Sequence, residues 1–346
     1  MKIAERYWNH DSFAHELSRV VALLAAALVL LAACSSDEEG GTSAGEPEVV
    51  AFSANVPAFI TRAEVGSTSD LQTAGFGVFA YYTEGNDWAT VEASAKPNFM
   101  YNQKVSGPNW TYDPVKYWPN DNNPADNNGA TGSRTRSYVS FFAYAPHDGE
   151  GIDANTTGAP IIGYTWAADR DLLYANPQKD LYKYDPTDAN DHGRVDDKVA
   201  FTFRHALAKV QFKVRRKEQT GSAITLNSLV ITSNGATGGT FNLSSSTWTA
   251  MTGNNAALLN YTTPPITVTA YTDANAQFIG SALMMPGTVT FIYDIDYNVG
   301  LKQYTPEPAA MTTITIKMNA IYTVILVIDG DAIESYVLRE REAEQW

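Results

Sequence analysis

Over residues 48–56 apolar and polar positions alternate, with Val50, Phe52, Ala54 and Val56 on one face of an extended segment. Period-two alternation of this kind predicts a half-buried strand, and Pro57 ends it or leaves it at a sheet edge. The same pattern predicts strands over 75–82, 99–105, 110–118, 138–144, 161–166 and 172–174. Over 199–215 the phase slips. Val199, Phe201, Phe203, His205 and Leu207 share one parity, and Ala208, Val210, Phe212 and Val214 share the other. A one-residue slip predicts a bulge or bend at Leu207-Ala208, where the chain leaves one sandwich and starts another. Further strands are expected over 224–232, 240–243, 266–271, 281–285, 288–297, 312–318 and 321–328. The last is apolar on both faces, as a strand buried between layers would be. Asp329-Gly330 then predicts a hairpin returning through 332–338. No 3.6-residue period stands out after the first 33 residues, so the expected fold class is all-β.

The first 33 residues have a different character. Val20 to Ala33 is fourteen residues of unbroken apolar sequence, too short for a hydrocarbon core that needs about twenty. It reads as the apolar stretch of a secretory signal peptide, 1–33. Leu31-Ala32-Ala33-Cys34 resembles the lipobox of bacterial lipoproteins, whose cysteine is diacylated and becomes the first mature residue. Cys34 is the sole cysteine, which excludes an internal disulfide and gives its thiol this other use. A buried helix that happens to end in cysteine is the competing reading, but the polar run that follows has nothing to pack against. That run, Ser35-Ser36-Asp37-Glu38-Glu39, resembles a short acidic signal that sends lipoproteins of Gram-negative anaerobes to the cell surface. Residues 34–47 read as a flexible tether.

Removing 1–33 removes three positive and three negative charges, so the formal net charge of −14 is unchanged. Such an acidic chain lacks the clustered Lys and Arg that phosphate contacts need, and nucleic acid is not an expected partner. The 44% hydrophobic and 12% aromatic content is ample for a core, and the length allows two domains.

The chemical motifs are weak. Gly41-Thr42-Ser43-Ala44-Gly45 spells a nucleophile elbow but lacks the strand before and the helix after it. Gly75-x-Gly77-x-x-Ala80 mimics a dinucleotide fingerprint with no βαβ unit around it. No enzyme, cofactor or metal centre is expected. His205, in line with Phe201 and Phe203, reads as a core histidine, and His147 as a loop residue. Asp185, Asp188, Asn190, Asp191, Asp196 and Asp197 could wrap calcium but miss the EF-hand spacing, and a solvated acidic loop is the plainer reading. Trp110 and Trp118 admit two readings, sugar stacking on a surface or core packing.

Several pieces in order carry a family resemblance: the lipobox, Thr61-Arg62-Ala63 after the first strand, Gly77-Val78-Phe79-Ala80-Tyr81, and Tyr117-Trp118-Pro119. Phe141-Phe142-Ala143-Tyr144-Ala145-Pro146 and Phe203-x-His205-Ala206-Leu207-Ala208-Lys209-Val210 complete the set. Together they resemble the fimbrillin-like family, the type V pilins of Gram-negative anaerobes, over nearly the whole mature chain. The resemblance implies two tandem transthyretin-like Greek-key β-sandwiches, here 48–198 and 199–346. It implies a fimbrial subunit at the outer membrane and cell surface that supports adhesion and has other pilin subunits as partners, in a homo- or heteropolymer. It also implies an arginine-specific protease that would cut between Arg62 and Ala63, within a soft stretch, and remove the first strand. A stalk, tip or anchor role is open, as is the alternative of a surface lipoprotein that binds host or bacterial glycans or proteins without polymerising.

Losing the strand that carries Val50, Phe52, Ala54 and Val56 would expose an apolar groove beside unpaired main-chain groups. Burial of Val50, Phe52 and Val56 is worth about 5–9 kcal/mol together, an upper estimate, and a strand from another subunit would recover most of it. Repeated head to tail, such exchange gives an open filament. Ile333, Tyr336 and Leu338, in the segment 333–338, are one candidate donor strand; pairing inside the chain with 321–328 is the other use of that segment.

Overall fold

The computed structural model describes residues 48–57, 65–119, 137–147, 156–182, 198–254, 256–311 and 313–342. The first part of the chain supplies β1 (Phe52–Asn55), β2 (Phe76–Tyr82), β3 (Met100–Val105), β4 (Val139–Ala145), β5 (Ile161–Thr165), β6 (Leu173–Ala175), β7 (Gln178–Leu181) and β8 (Val199–His205). Then follow β9 (Ala208–Arg216), β10 (Ile224–Ser233), β11 (Gly238–Asn242), β12 (Thr247–Thr252), β13 (Ala256–Tyr261), β14 (Ile266–Val268) and β15 (Gln277–Met284). The remaining described strands are β16 (Gly287–Val289), β17 (Phe291–Val299), β18 (Lys302–Tyr304), β19 (Ala309–Ala310), β20 (Ile314–Ile316), β21 (Ala320–Asp329) and β22 (Ala332–Glu342). The fold is all-β, with two short helices among the described residues, α1 (Thr68–Ala74) and α2 (Trp88–Val91).

The first sheet runs β1-β8-β6-β4-β2-β3, with β7 also on β4. Its central strands β2 and β4 are buried on both faces. Phe76, Val78, Ala80, Phe141 and Ala143 point to one side, into a core completed by Phe52, Phe201 and Phe203. Phe79, Tyr81, Phe142 and Tyr144 point to the other.

The stretch 110–118 is not the strand its alternation predicted. Its strand pairing is limited to isolated bridges, Ser106 with Thr111 and Val49 with Tyr117, and Pro114 within it has no N–H to give a ladder. It crosses over the first core instead, laying Trp110, Tyr112 and Trp118 on it.

Helix α1 was not visible as a period because only Leu71 is buried. Its signal is in the caps. The Ser67 hydroxyl accepts from the Asp70 amide at 3.2 Å and donates to the Asp70 carboxylate at 2.7 Å, and Gly75, at φ 76°, closes the C-terminus onto the Leu71 carbonyl at 2.8 Å.

In the second part, the sheet β15-β9-β21-β22 faces the sheet β13-β10-β17-β18. Val210, Phe212, Val214, Val324 and Leu326 of the former meet Leu226, Leu229, Ile231, Phe291 and Ile295 of the latter in one core. β21 is covered on both faces as its sequence predicts, since Ile325 and Val327 pack behind it with Ala276 and Tyr336.

A third sheet, β12-β11-β5, joins the two parts. β5 and β11 pair antiparallel from Ile161↔Asn242 to Thr165↔Gly238. The core beneath draws Phe79, Tyr81, Phe142 and Tyr144 from one part and Phe241, Leu243, Leu283 and Met285 from the other. Indole N–H groups tie the same seam, from Trp88 to Ser244 Oγ at 2.9 Å, Trp166 to the Leu283 carbonyl at 2.7 Å and Trp248 to the Ala206 carbonyl at 2.9 Å. The described residues accordingly form one compact unit. The expected boundary at 198/199 precedes β8, which the first sheet retains through its pairing with β1 and β6. The change of sheet comes between His205 and Ala208, at the predicted phase slip.

His205 marks that point. Its Nδ1 lies 2.7 Å from Asp171 Oδ2 with both side chains enclosed, while Asp171 Oδ1 accepts from the Leu172 amide at 2.8 Å. The His205 amide donates to Asn319 Oδ1 at 3.3 Å, and the Asn319 amide donates to the Leu207 carbonyl at 2.9 Å. This is the core histidine the sequence suggested, placed where the chain changes sheets.

Candidate functional site

The first strand is held by different neighbours along its length. Residues 48–50 run against 116–118, with the Val50 amide donating to the Lys116 carbonyl and the Trp118 amide to the Glu48 carbonyl, each at 2.9 Å. Two residues later β1 pairs parallel to β8, Phe52 opposite Val199 through Asn55 opposite Thr202. The Val199 amide donates to the Ala51 carbonyl at 2.8 Å. β1 is therefore one of the two end strands of the first sheet's main order, and its side chains supply part of that sheet's core.

Val50, Phe52 and Val56 are buried and Ala54 is half-buried, all in the first core. Phe52 is the anchor. Its ring lies 5.4 Å from Tyr112, 5.9 Å from Phe201, 6.0 Å from Phe141 and 6.3 Å from Phe76, within the range of favourable aromatic contacts. The Val56 amide donates to Thr68 Oγ1 of α1 at 3.2 Å.

Tyr112 serves this strand twice. Its ring covers Phe52, and its hydroxyl donates to the Val50 carbonyl at 2.7 Å and to the Lys116 carbonyl at 3.3 Å. Burial pushes its phenol above the ordinary tyrosine range, so the hydroxyl stays a donor at physiological pH. Nothing in the alternation of 110–118, which predicts an ordinary strand, marks this role of Tyr112. Tyr112→Phe is expected to destabilise the protein by about 1 kcal/mol and to speed amide exchange at Val50. Unchanged exchange there would show that the hydroxyl does not hold the strand.

The other predicted positions separate. Cys34, Arg62, Ala63, His192 and the acidic residues of 185–197 lie outside the described residues. Trp118 is buried with its ring 5.6 Å from Phe141, and Trp110 is half-buried with its ring 5.4 Å from Phe76. Core packing accounts for Trp118, and Trp110 lies on the same core with its ring half-buried. His147 is more than a loop residue, since its amide donates to the Gly75 carbonyl at 3.0 Å and its Nε2 lies 3.3 Å from the Asn102 carbonyl oxygen.

The segment 333–338 lies in β22, paired with β21 along the whole hairpin. Ile333 and Val337 pack toward the second core, whereas Tyr336 packs on the opposite side against Ile325 and Val327. Ile333 thus does not share a face with Tyr336 and Leu338. The Tyr336 hydroxyl also accepts from Arg215 Nη2 at 3.1 Å and donates to Asp273.

Residues 61–346 match the family described as fimbrillin-like. The chain belongs to that family. Fimbrium subunit Fim1C of Phocaeicola vulgatus is a curated relative, 28% identical over 172 residues. That match covers 43% of this chain and 39% of the relative, so it spans well under half of that protein's length. Among solved structures, a fimbrial protein from Bacteroides vulgatus superposes with a TM-score of 0.59 at 19% identity, covering 84% of this chain and 98% of the other. The fold is thus one found in a fimbrial protein. The fimbrillin-like match starts at Thr61, after β1 has ended at Asn55.

Proposed function

We propose that this chain is a structural fimbrial subunit that reaches the cell surface as a lipoprotein on Cys34, is cut between Arg62 and Ala63, and joins a neighbour through a strand that replaces β1. The observation that carries the reading is the placement of β1. An end strand near the start of the chain whose alternate side chains are buried in the core is an element that a single cut could remove while leaving a groove shaped for a strand. The start of the family match beyond β1 supports the same division of the chain. Two sandwiches joined by β5 and β11 form the body of the subunit, and the fimbrial family favours a structural role over an enzymatic one. Its partners in this reading are other pilin subunits, the outer membrane before processing and an arginine-specific protease, with adhesion to host or bacterial surfaces as the outcome.

The test is limited digestion of residues 35–346 with an arginine-specific protease, followed by removal of the cut strand in mild denaturant. The expected product begins at Ala63 and binds a labelled peptide of residues 48–57. Cleavage that leaves 62–63 intact, or a product starting at Ala63 that ignores the peptide, would overturn the proposal.

A further inference from the structure

The inward positions of β1 differ in what they accept. At Val50 the side chain is wholly enclosed; Phe52 sits among four rings; Ala54 is small and half-buried; Val56 is buried beside α1. Side chains at period two on one strand are therefore read as β-branched, aromatic, small, β-branched. Tyr112 adds a contact to the carbonyl two residues before the aromatic one, and β8 sets a parallel direction.

Residues 331–342, which carry β22, do not fit this pattern. Residues 331–342 read Asp-Ala-Ile-Glu-Ser-Tyr-Val-Leu-Arg-Glu-Arg-Glu. With Tyr336 at the Phe52 position, Glu334 takes the enclosed Val50 position and Glu340 that of Val56. With Ser335 there, the four-ring site loses its aromatic residue and Arg339 falls at Val56. Starting the four inward positions at any residue from 331 to 336 places at least one charged side chain among them. An ionised group in an enclosed apolar site is strongly disfavoured unless paired.

We infer that the groove is heterotypic: once β1 is gone it takes a strand from a different subunit, carrying a β-branched, aromatic, small, β-branched pattern at alternate positions and running parallel to β8. It does not take residues 331–342 of a second copy. This rests on the strand-exchange reading above and adds the identity of the partner.

The experiment uses the chain cut after Arg62 and stripped of its first strand, with three labelled peptides followed by fluorescence anisotropy. These are 48–57, 331–342, and 331–342 carrying S335F, V337A and R339V, which gives Ile333, Phe, Ala and Val at the four inward positions. The first and third are expected to bind, and native 331–342 to bind about a hundredfold more weakly. The stripped chain alone should run as a monomer on an unheated denaturing gel. Binding of native 331–342 within tenfold of 48–57, or a ladder of multimers from the stripped chain alone, would overturn the heterotypic inference and leave strand exchange standing. Failure of all three peptides would remove strand exchange itself. Should the stripped chain unfold, the uncut Phe52→Ala protein takes its place. Peptide 48–57 should raise its melting temperature and native 331–342 should not, and equal rises would again overturn the inference.

Discussion

Phe52→Ala is expected to destabilise the protein by about 3–5 kcal/mol, measured by urea unfolding. The ring is 2% exposed and touches four other rings, so truncation removes both its own burial and one side of each neighbour's packing. The groove is stiff on the other sides, where Phe76, Phe141 and Phe201 are fixed in paired strands, and it has little freedom to collapse. Ser53→Ala, on the outward face of the same strand, is the control and should change stability by less than about 0.5 kcal/mol. The two substitutions should also differ in amide exchange at Val199, whose N–H bonds the Ala51 carbonyl. A Phe52→Ala loss no larger than that of Ser53→Ala would mean that β1 contributes nothing to the first core.

Asp171→Ala is expected to cost a similar amount, about 3–5 kcal/mol, for a different reason. The carboxylate is 1% exposed and serves His205 Nδ1 with one oxygen and the Leu172 amide with the other. Removing it leaves two enclosed nitrogens that cannot reach water. Asp171→Asn keeps an acceptor for the Leu172 amide and should lose less. Because the pair lies where the chain passes from the first sheet to the second, near-ultraviolet signals from Trp248 and Trp166 should weaken together in Asp171→Ala. Their indole N–H groups cross the same seam. A loss under about 1 kcal/mol with unchanged tryptophan signals would show that the pair is incidental to the junction.

The strands that bury one face were legible because burial and alternation are the same fact seen twice. Val50 to Val56 and the slip at Leu207-Ala208 appear in the structure where alternation puts them, whereas β2 and β4 were legible as apolar runs covered on both faces. What could not be read depends on contacts remote in sequence. β12 is nearly all exposed, so its Thr-Trp-Thr-Ala-Met-Thr carries no alternation and is a strand only because β11 pairs with it. The sugar-stacking reading of Trp118 fails because a ring exposed in a lone strand is covered when Phe141 arrives from β4. The partition of the chain was hidden for the same reason. Nothing in the sequence of 161–165 says that its partner lies at 238–242. At the candidate site the buried face of the first strand was visible in its spacing, while Tyr112, whose hydroxyl bonds the Val50 carbonyl, was recognisable only from the fold.

The seam between the two parts has a mechanical meaning. A hinged pair of domains would bend at its linker under load; here the link is a five-pair ladder of strands over a shared aromatic core. Pulling the parts of one subunit away from each other would have to shear those main-chain bonds together, so the subunit acts as a stiff segment. If the proposed strand exchange joins such subunits into a filament, compliance would lie at the joints between them, and the single noncovalent strand in each β1 groove would set the force at which the filament parts.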